Sequence, residues 1–158
     1  MRRVPHGVAV LTVDVDGERL GLTLDSLVSL SLDPPLVGVS ISPQAAMHEL
    51  LREAGAFAVS LLAAGQEDVA QHFARGVPPI AHWHGIATRS GGAGPLIEGA
   101  LGWLGCRLAA EHEAGDHTLF VGEVEWVEAG VSAPPLVHVE SGYRSLRSRR
   151  SSSTWTAC

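Results

Sequence analysis

Apolar and β-branched residues recur in short runs along this chain, and turn-forming residues separate the runs. Gly7 to Val15 carries Val8, Val10 and Thr12 and leads into Asp16-Gly17, a pair suited to a tight hairpin turn. Arg19 to Thr23 reads as the returning strand, and Leu24 to Leu32 alternates apolar residues with Ser26, Ser29 and Ser31. Asp33-Pro34-Pro35 is expected to stop pairing and reset the chain, before a strand over Leu36 to Ser42. Pro43 opens a helix that carries Ala45, Ala46, Met47, Leu50 and Leu51 and ends at Gly55. Ala56 to Leu62 reads as a strand. Gln66 to Ala74 has Val69, Ala70 and Phe73 at helical spacing and reads as a second short helix. Arg75 to Pro95 is rich in glycine and proline and reads as a long loop. Ala100 to His112 and Thr118 to Val127 read as two longer strands joined by a turn at Gly115-Asp116, and Leu136 to Val139 as the last strand.

About seven strands with two short inserted helices result, mostly between sequential neighbours. An antiparallel sheet closed into a small barrel accommodates such a pattern, so the expected class is mainly β. The length of 158 residues suits one domain with a real core. Hydrophobic residues at 46% against charged residues at 18% exclude global disorder. No apolar run reaches the ~18 residues of a membrane span, and no long apolar region follows Met1-Arg2-Arg3-Val4-Pro5, so no membrane segment or secretory leader is expected.

Charge changes the picture further. There is no lysine, which removes Schiff-base chemistry and a P-loop lysine. Residues 1–143 hold 7 arginines and 17 acids, whereas residues 144–158 hold 4 arginines and no acid. An acidic body speaks against a nucleic-acid surface. Residues 1–144 are therefore read as one domain and 145–158 as an Arg/Ser-rich tail, disordered or dependent on a partner. Cys106 lies in an apolar run and Cys158 ends the chain, so no disulfide framework is expected and a cytoplasmic location is the default.

Four constellations could carry chemistry. Gly21 to Pro35 offers the hydroxyls of Thr23, Ser26, Ser29 and Ser31 with many backbone amides, suited either to the polar edge of an uncharged ligand such as an isoalloxazine or to a plain edge strand. Gly115-Asp116-His117 is a turn that could place an imidazole at the barrel mouth. Gly142-Tyr143-Arg144 could cap the sheet or set an aromatic face and a cation beside a dinucleotide. His82-Trp83-His84, with His72 upstream, has no cysteine or carboxylate at ligand spacing, so no metal site is expected; Trp83 reads as a loop anchor or part of a dimer surface. No Gly-x-Ser-x-Gly elbow and no Gly-x-Gly-x-x-Gly after a strand occurs, which leaves hydrolase and Rossmann readings without support.

Taken in order, Gly7-Val8-Ala9-Val10-Leu11-Thr12, Gly21-Leu22-Thr23 through Asp33-Pro34-Pro35-Leu36-Val37, Gly55 to Leu62, Gln71-His72-Phe73-Ala74, Pro95 to Leu101, Gly115-Asp116-His117 and Gly142-Tyr143-Arg144 resemble the flavin reductase-like family. That family has an FMN-binding split barrel and includes the small reductase components of two-component flavin-dependent monooxygenases. The resemblance implies an antiparallel split β-barrel, a cytoplasmic homodimer, and an enzyme that moves a hydride from NADH or NADPH to FMN or FAD and hands reduced flavin to a partner monooxygenase. It implies neither a nucleic acid nor a membrane as partner.

By the same resemblance, Thr23, Leu24, Asp25 and Ser26 border the flavin ring, with Ser29 further along that segment. Ser40, Ser42, Gln44 and Ala45 approach the ribityl chain and phosphate, and Phe73, Ala74 and Arg75 close over the flavin tail. His117 and Tyr143 border the nicotinamide as the catalytic pair, with Arg144 beside the dinucleotide. Three departures stand out. Asp25 replaces an Asn or Ser, Ala45 replaces a hydroxyl residue near the phosphate, and the helix that usually precedes the first strand is nearly absent. The first sets a negative charge beside the ring, and the second implies modest flavin affinity. Two other readings compete. One is a non-catalytic flavin, haem or deazaflavin carrier. The other is an oxidase like the pyridoxamine-phosphate oxidase branch, which would need more basic residues for a substrate phosphate.

Overall fold

The structure, a computed structural model, describes residues 3–76 and 81–146. Its strands are β1 (His6–Gly7), β2 (Ala9–Val15), β3 (Glu18–Leu24), β4 (Val28–Leu32), β5 (Pro35–Ile41), β6 (Ala56–Leu61), β7 (Thr88–Arg89), β8 (Leu96–Ile97), β9 (Gly102–Ala114), β10 (His117–Ala129), β11 (Leu136–Val139) and β12 (Gly142–Ser145). Two helices, α1 (Ala46–Ala54) and α2 (Glu67–Ala74), flank β6. Seven strands form one antiparallel sheet in the order β3-β2-β6-β9-β10-β5-β4, while β1-β11-β12 and β7-β8 form two small ones.

The connection between β3 and β4 forces the large sheet to curl. They are its two outermost strands, yet only residues 25–27 separate them. Laid flat, six strand spacings of ~4.8 Å would part them by ~29 Å. The backbone from Leu24 to Val28 reaches at most ~15 Å. The sheet therefore bends into a barrel, and because no ladder joins β3 to β4 among the described residues the barrel stays split. Two bulges in the β9–β10 hairpin, between Val121 and Gly122 and between Val124 and Trp126, supply local bending. At Gly122 a Cβ atom would lie 2.4 Å from Phe57 Cζ, so only glycine lets that ring lie against the strand.

The interior of the barrel holds Leu11, Val13, Val39, Ile41, Phe57, Val59 and Phe120, with Met47, Leu50 and Leu51 of α1 packed on them. The opposite face of β2 is buried too. Val8 and Val10 meet Leu62, Ala70, Phe73, Ile97 and Leu136, and Thr12 donates its hydroxyl to Pro95 O at 2.8 Å. That double burial explains why β2 reads as a continuous apolar run. The outer edge of β3 is covered by His82, whose Nε2 lies 2.9 Å from Gly21 N and 3.0 Å from Gly21 O, and by Trp83, which donates to Arg19 O.

Several boundaries differ from the sequence reading. Asp33-Pro34 does not stop pairing. It forms the turn of a β4–β5 hairpin in which Leu32 faces Pro35, with the Asp33–Pro34 bond cis. Helix α1 starts at Ala46 rather than Pro43, because Ala45 is extended and the Ser42 hydroxyl accepts the Gln44 amide in a local turn. Strands β1, β7 and β8 escaped notice because each has only two residues, too few for an alternation to show, and the four-residue β12 escaped notice as well. Ser145, which the sequence reading placed in the tail, pairs with Leu136, and residues 147–158 of the expected tail lie outside the described residues.

Candidate functional site

The break between β3 and β4 is half-buried, and the expected flavin-ring residues gather around it. A cleft of about 240 Å³ is lined by Val8, Thr23, Leu24, Asp25, Ala74, His138 and Tyr143. A neighbouring cleft of about 360 Å³ is lined by Val4, His6, Asp25, Ser26, His138, Val139 and Ser141. Asp25 and His138 form the wall shared by both. Among the described residues, the amides of Asp25, Ser26 and Leu27 have no backbone acceptor outside the strand ladders. A strand break that sets backbone amides beside an apolar and aromatic wall fits a flat ring with a polar edge.

The side chains here are held by partners remote in sequence. Thr23 donates its hydroxyl to Ala70 O of α2 at 2.7 Å. Ser26 donates to Ser40 O and accepts from Ser40 N, so its hydroxyl fastens the link to β5. Asp25 Oδ2 lies 2.9 Å from His138 Nδ1. His138 faces Tyr143 across the β11–β12 pair, with ring centroids 5.6 Å apart. Burial, and then the charge of Asp25, push the Tyr143 phenol above its ordinary range, while Arg75 opposes them.

The remaining expected residues divide between other surroundings. Ser42 donates to Gln44 Oε1 at 2.6 Å, and with Ala45 these residues lead into the N-terminus of α1. His117 opens on a third cleft of about 500 Å³, bordered by Pro43, His48, Arg52, Glu111 and Thr118 among others. Its Nδ1 lies 2.8 Å from Asp116 Oδ1, and that hydrogen bond is the main reason the Asp116 carboxyl sits below its usual range. One chain therefore does not bring His117 and Tyr143 into a common cleft. Phe73 is buried against Gly21, His82 and Trp83 as part of the packing under α2. Arg75 is exposed and donates to Gln71, Arg144 is exposed and donates to Tyr143 O, and Ser29 stands exposed on β4 away from the clefts.

Three residues of these clefts escaped the sequence reading. His6 and His138 are direct partners across β1 and β11, and neither sits in a local motif. His48 is buried, with Nδ1 2.9 Å from Glu49 Oε1 and Nε2 2.8 Å from Thr118 Oγ1, so it ties α1 to β10 beside His117. The helical spacing of α1 places His48 beside Met47 on the inward face, which was a usable signal.

Comparison with known proteins agrees with this fold. The family described as flavin reductase like domain matches residues 1–147. The chain is 44% identical over 146 residues to the reductase component of 4-hydroxyphenylacetate 3-monooxygenase from Thermus thermophilus, covering 92% of each. It is 42% identical over 150 residues to an NADH-dependent flavin reductase from Rhodococcus sp., covering 91% of this chain and 81% of that one. Among solved structures, the NADH:FAD oxidoreductase of Streptomyces globisporus in complex with NAD and FAD fragments superposes with a TM-score of 0.87 at 35% identity, over 96% of this chain and 90% of that one.

Proposed function

The chain belongs to the flavin reductase-like family, and we propose that it is an NAD(P)H:flavin oxidoreductase that supplies reduced FMN or FAD to a partner monooxygenase. The observation that carries this reading is the cleft at the β3–β4 break, where Thr23, Leu24, Asp25 and Tyr143 meet beside the amides of residues 25–27, which among the described residues have no backbone acceptor outside the strand ladders. When bound, the two nucleotides would supply the chemistry, hydride transfer from the nicotinamide to the flavin. The chain supplies position and environment. Val8 and Leu24 form an apolar floor and Tyr143 offers an aromatic face, and the amides of residues 25–27 would meet the polar edge of a bound ring. Ser42, Gln44 and the first turn of α1 lie toward the phosphate, where helix amides favour an anion. His117 and Tyr143 border the nicotinamide.

A homodimer belongs to the same proposal. His117 and Tyr143 line separate clefts within one chain, and β4 exposes Val28, Leu30 and Leu32 along an edge that no strand among the described residues pairs. A second copy could cover that edge and bring the two residues to one nicotinamide. No helix among the described residues is long and apolar enough to cross a membrane. A reaction that draws on the nicotinamide pool favours a cytoplasmic location. The test is to follow NADH and NADPH oxidation with added FMN, FAD and riboflavin. Turnover with at least one pair is expected. Flavin binding without NADH or NADPH consumption would make the chain a carrier, and turnover with no pair would reject the reading.

A further inference from the structure

Asp25 would stand as an unusual charge beside a ring that gains electrons, and the structure gives it a partner. Its carboxylate meets His138 Nδ1 at 2.9 Å, both side chains are 38–46% exposed, and the two lie in the wall common to both clefts. Because Asp25 occupies Nδ1, Nε2 is the nitrogen His138 has left to offer. Other titratable or charged groups face this pair. His6 lies opposite on β1, Tyr143 opposite on β12, and Glu140 is in the β11–β12 turn. Arg75, just past α2, is close enough to act on Tyr143, as does Asp25.

We propose that Asp25 and His138 form a carboxylate–imidazole couple that sets the charge beside the flavin ring and makes the affinity for reduced flavin depend on pH. The inference rests on the flavin reductase reading. With His138 protonated the couple is neutral, and with His138 neutral it is a net negative charge. Reduction adds negative charge to the ring, so the second state opposes it. Asp25 and His138 are positioning residues that act on the ring through their field, and the pair tunes when reduced flavin is held and when it is released.

The test measures dissociation constants of oxidised and reduced FMN or FAD, whichever the enzyme accepts, between about pH 5 and 8, where an imidazole changes charge. For the parent chain, binding of the reduced form is expected to weaken relative to the oxidised form as pH rises. Asp25→Asn, which keeps the shape and removes the charge, is expected to favour reduced flavin about tenfold more than the parent at the alkaline end, or about 30 mV for a two-electron couple. His138→Gln is expected to hold the alkaline value throughout and lose the pH step, whereas His6→Gln retains it. An unchanged or smaller preference for reduced flavin in Asp25→Asn, or a parent-like pH step in His138→Gln, overturns the inference. NADH turnover by the parent chain decides the underlying reading separately. If the parent turns over and the variants match it in both constants, only the couple is rejected.

Discussion

Tyr143 is the only tyrosine in the chain, so its ionisation can be read without assignment. Burial and the neighbouring Asp25 both disfavour the phenolate. An ultraviolet difference titration is therefore expected to place its midpoint above the ordinary tyrosine value of about 10, and Asp25→Asn to bring it down. A midpoint that ignores Asp25 would mean that the carboxylate's field does not reach the ring. The linkage has a definite sign. The folded chain holds this proton more tightly than the unfolded one, so the stabilisation is present at lower pH and is lost as pH rises through the folded value. Cys106 gives a parallel case. Burial first, then the charge of Glu125, push its thiol up to about 12, and thiolate is the reactive form. In a Cys158→Ser chain, thiol reagents at neutral pH are expected to label nothing until denaturant is added. Rapid labelling of the native protein would refute the buried placement.

At the scale of elements, two ties hold the framework around the clefts. His48 joins α1 to β10 through Thr118, and both groups are buried. Thr118→Val leaves His48 Nε2 without its partner, which costs about 1–3 kcal/mol. Denaturant unfolding is expected to show that loss, and a midpoint equal to the parent's would show that the bond contributes little. Gly122→Ala sets a methyl 2.4 Å from Phe57 Cζ, an overpacking that costs about 1–3 kcal/mol, and the melting temperature should fall accordingly. Such ties also mark where the sequence was legible. The hairpin signal Asp16-Gly17 was readable because both residues adopt the left-handed conformation such a turn requires. The long β9–β10 hairpin was readable because Gly115 provides the same local cue. Strand β12 was not, since its turn places Glu140 and Ser141 at positive φ, where sequence favours glycine. The cleft at the β3–β4 break was half legible. Asp25 announced itself as a misplaced charge, whereas its partner His138 is 113 residues away on a four-residue strand. Nothing local in the chain links them.

For the whole molecule, the two edges of the large sheet are treated differently. The β3 edge is closed by His82 and Trp83, whose ring nitrogens meet the backbone of Gly21 and Arg19. The β4 edge carries Val28, Leu30 and Leu32 in the open, with Leu32 82% exposed. A bare apolar edge invites pairing with another chain, and proteins that stay monomeric usually blunt such edges with charge. Here the chain contains no lysine at all and β4 has no charged residue. The division of His117 and Tyr143 between separate clefts points to the same gap, because a nicotinamide that touches both needs the clefts of two copies to meet. Light scattering is expected to give twice the chain mass for the parent protein. Leu30→Lys combined with Leu32→Lys, which charges the edge without touching the barrel interior, is expected to give the single-chain mass. It should also lower NADH turnover more than flavin binding, since the proposed flavin-ring cleft lies within one chain whereas the proposed nicotinamide site spans two. A double variant that stays dimeric would move the interface elsewhere. A monomeric variant with full turnover would show that one chain completes the site, and that His117 and Tyr143 do not act on the same nucleotide.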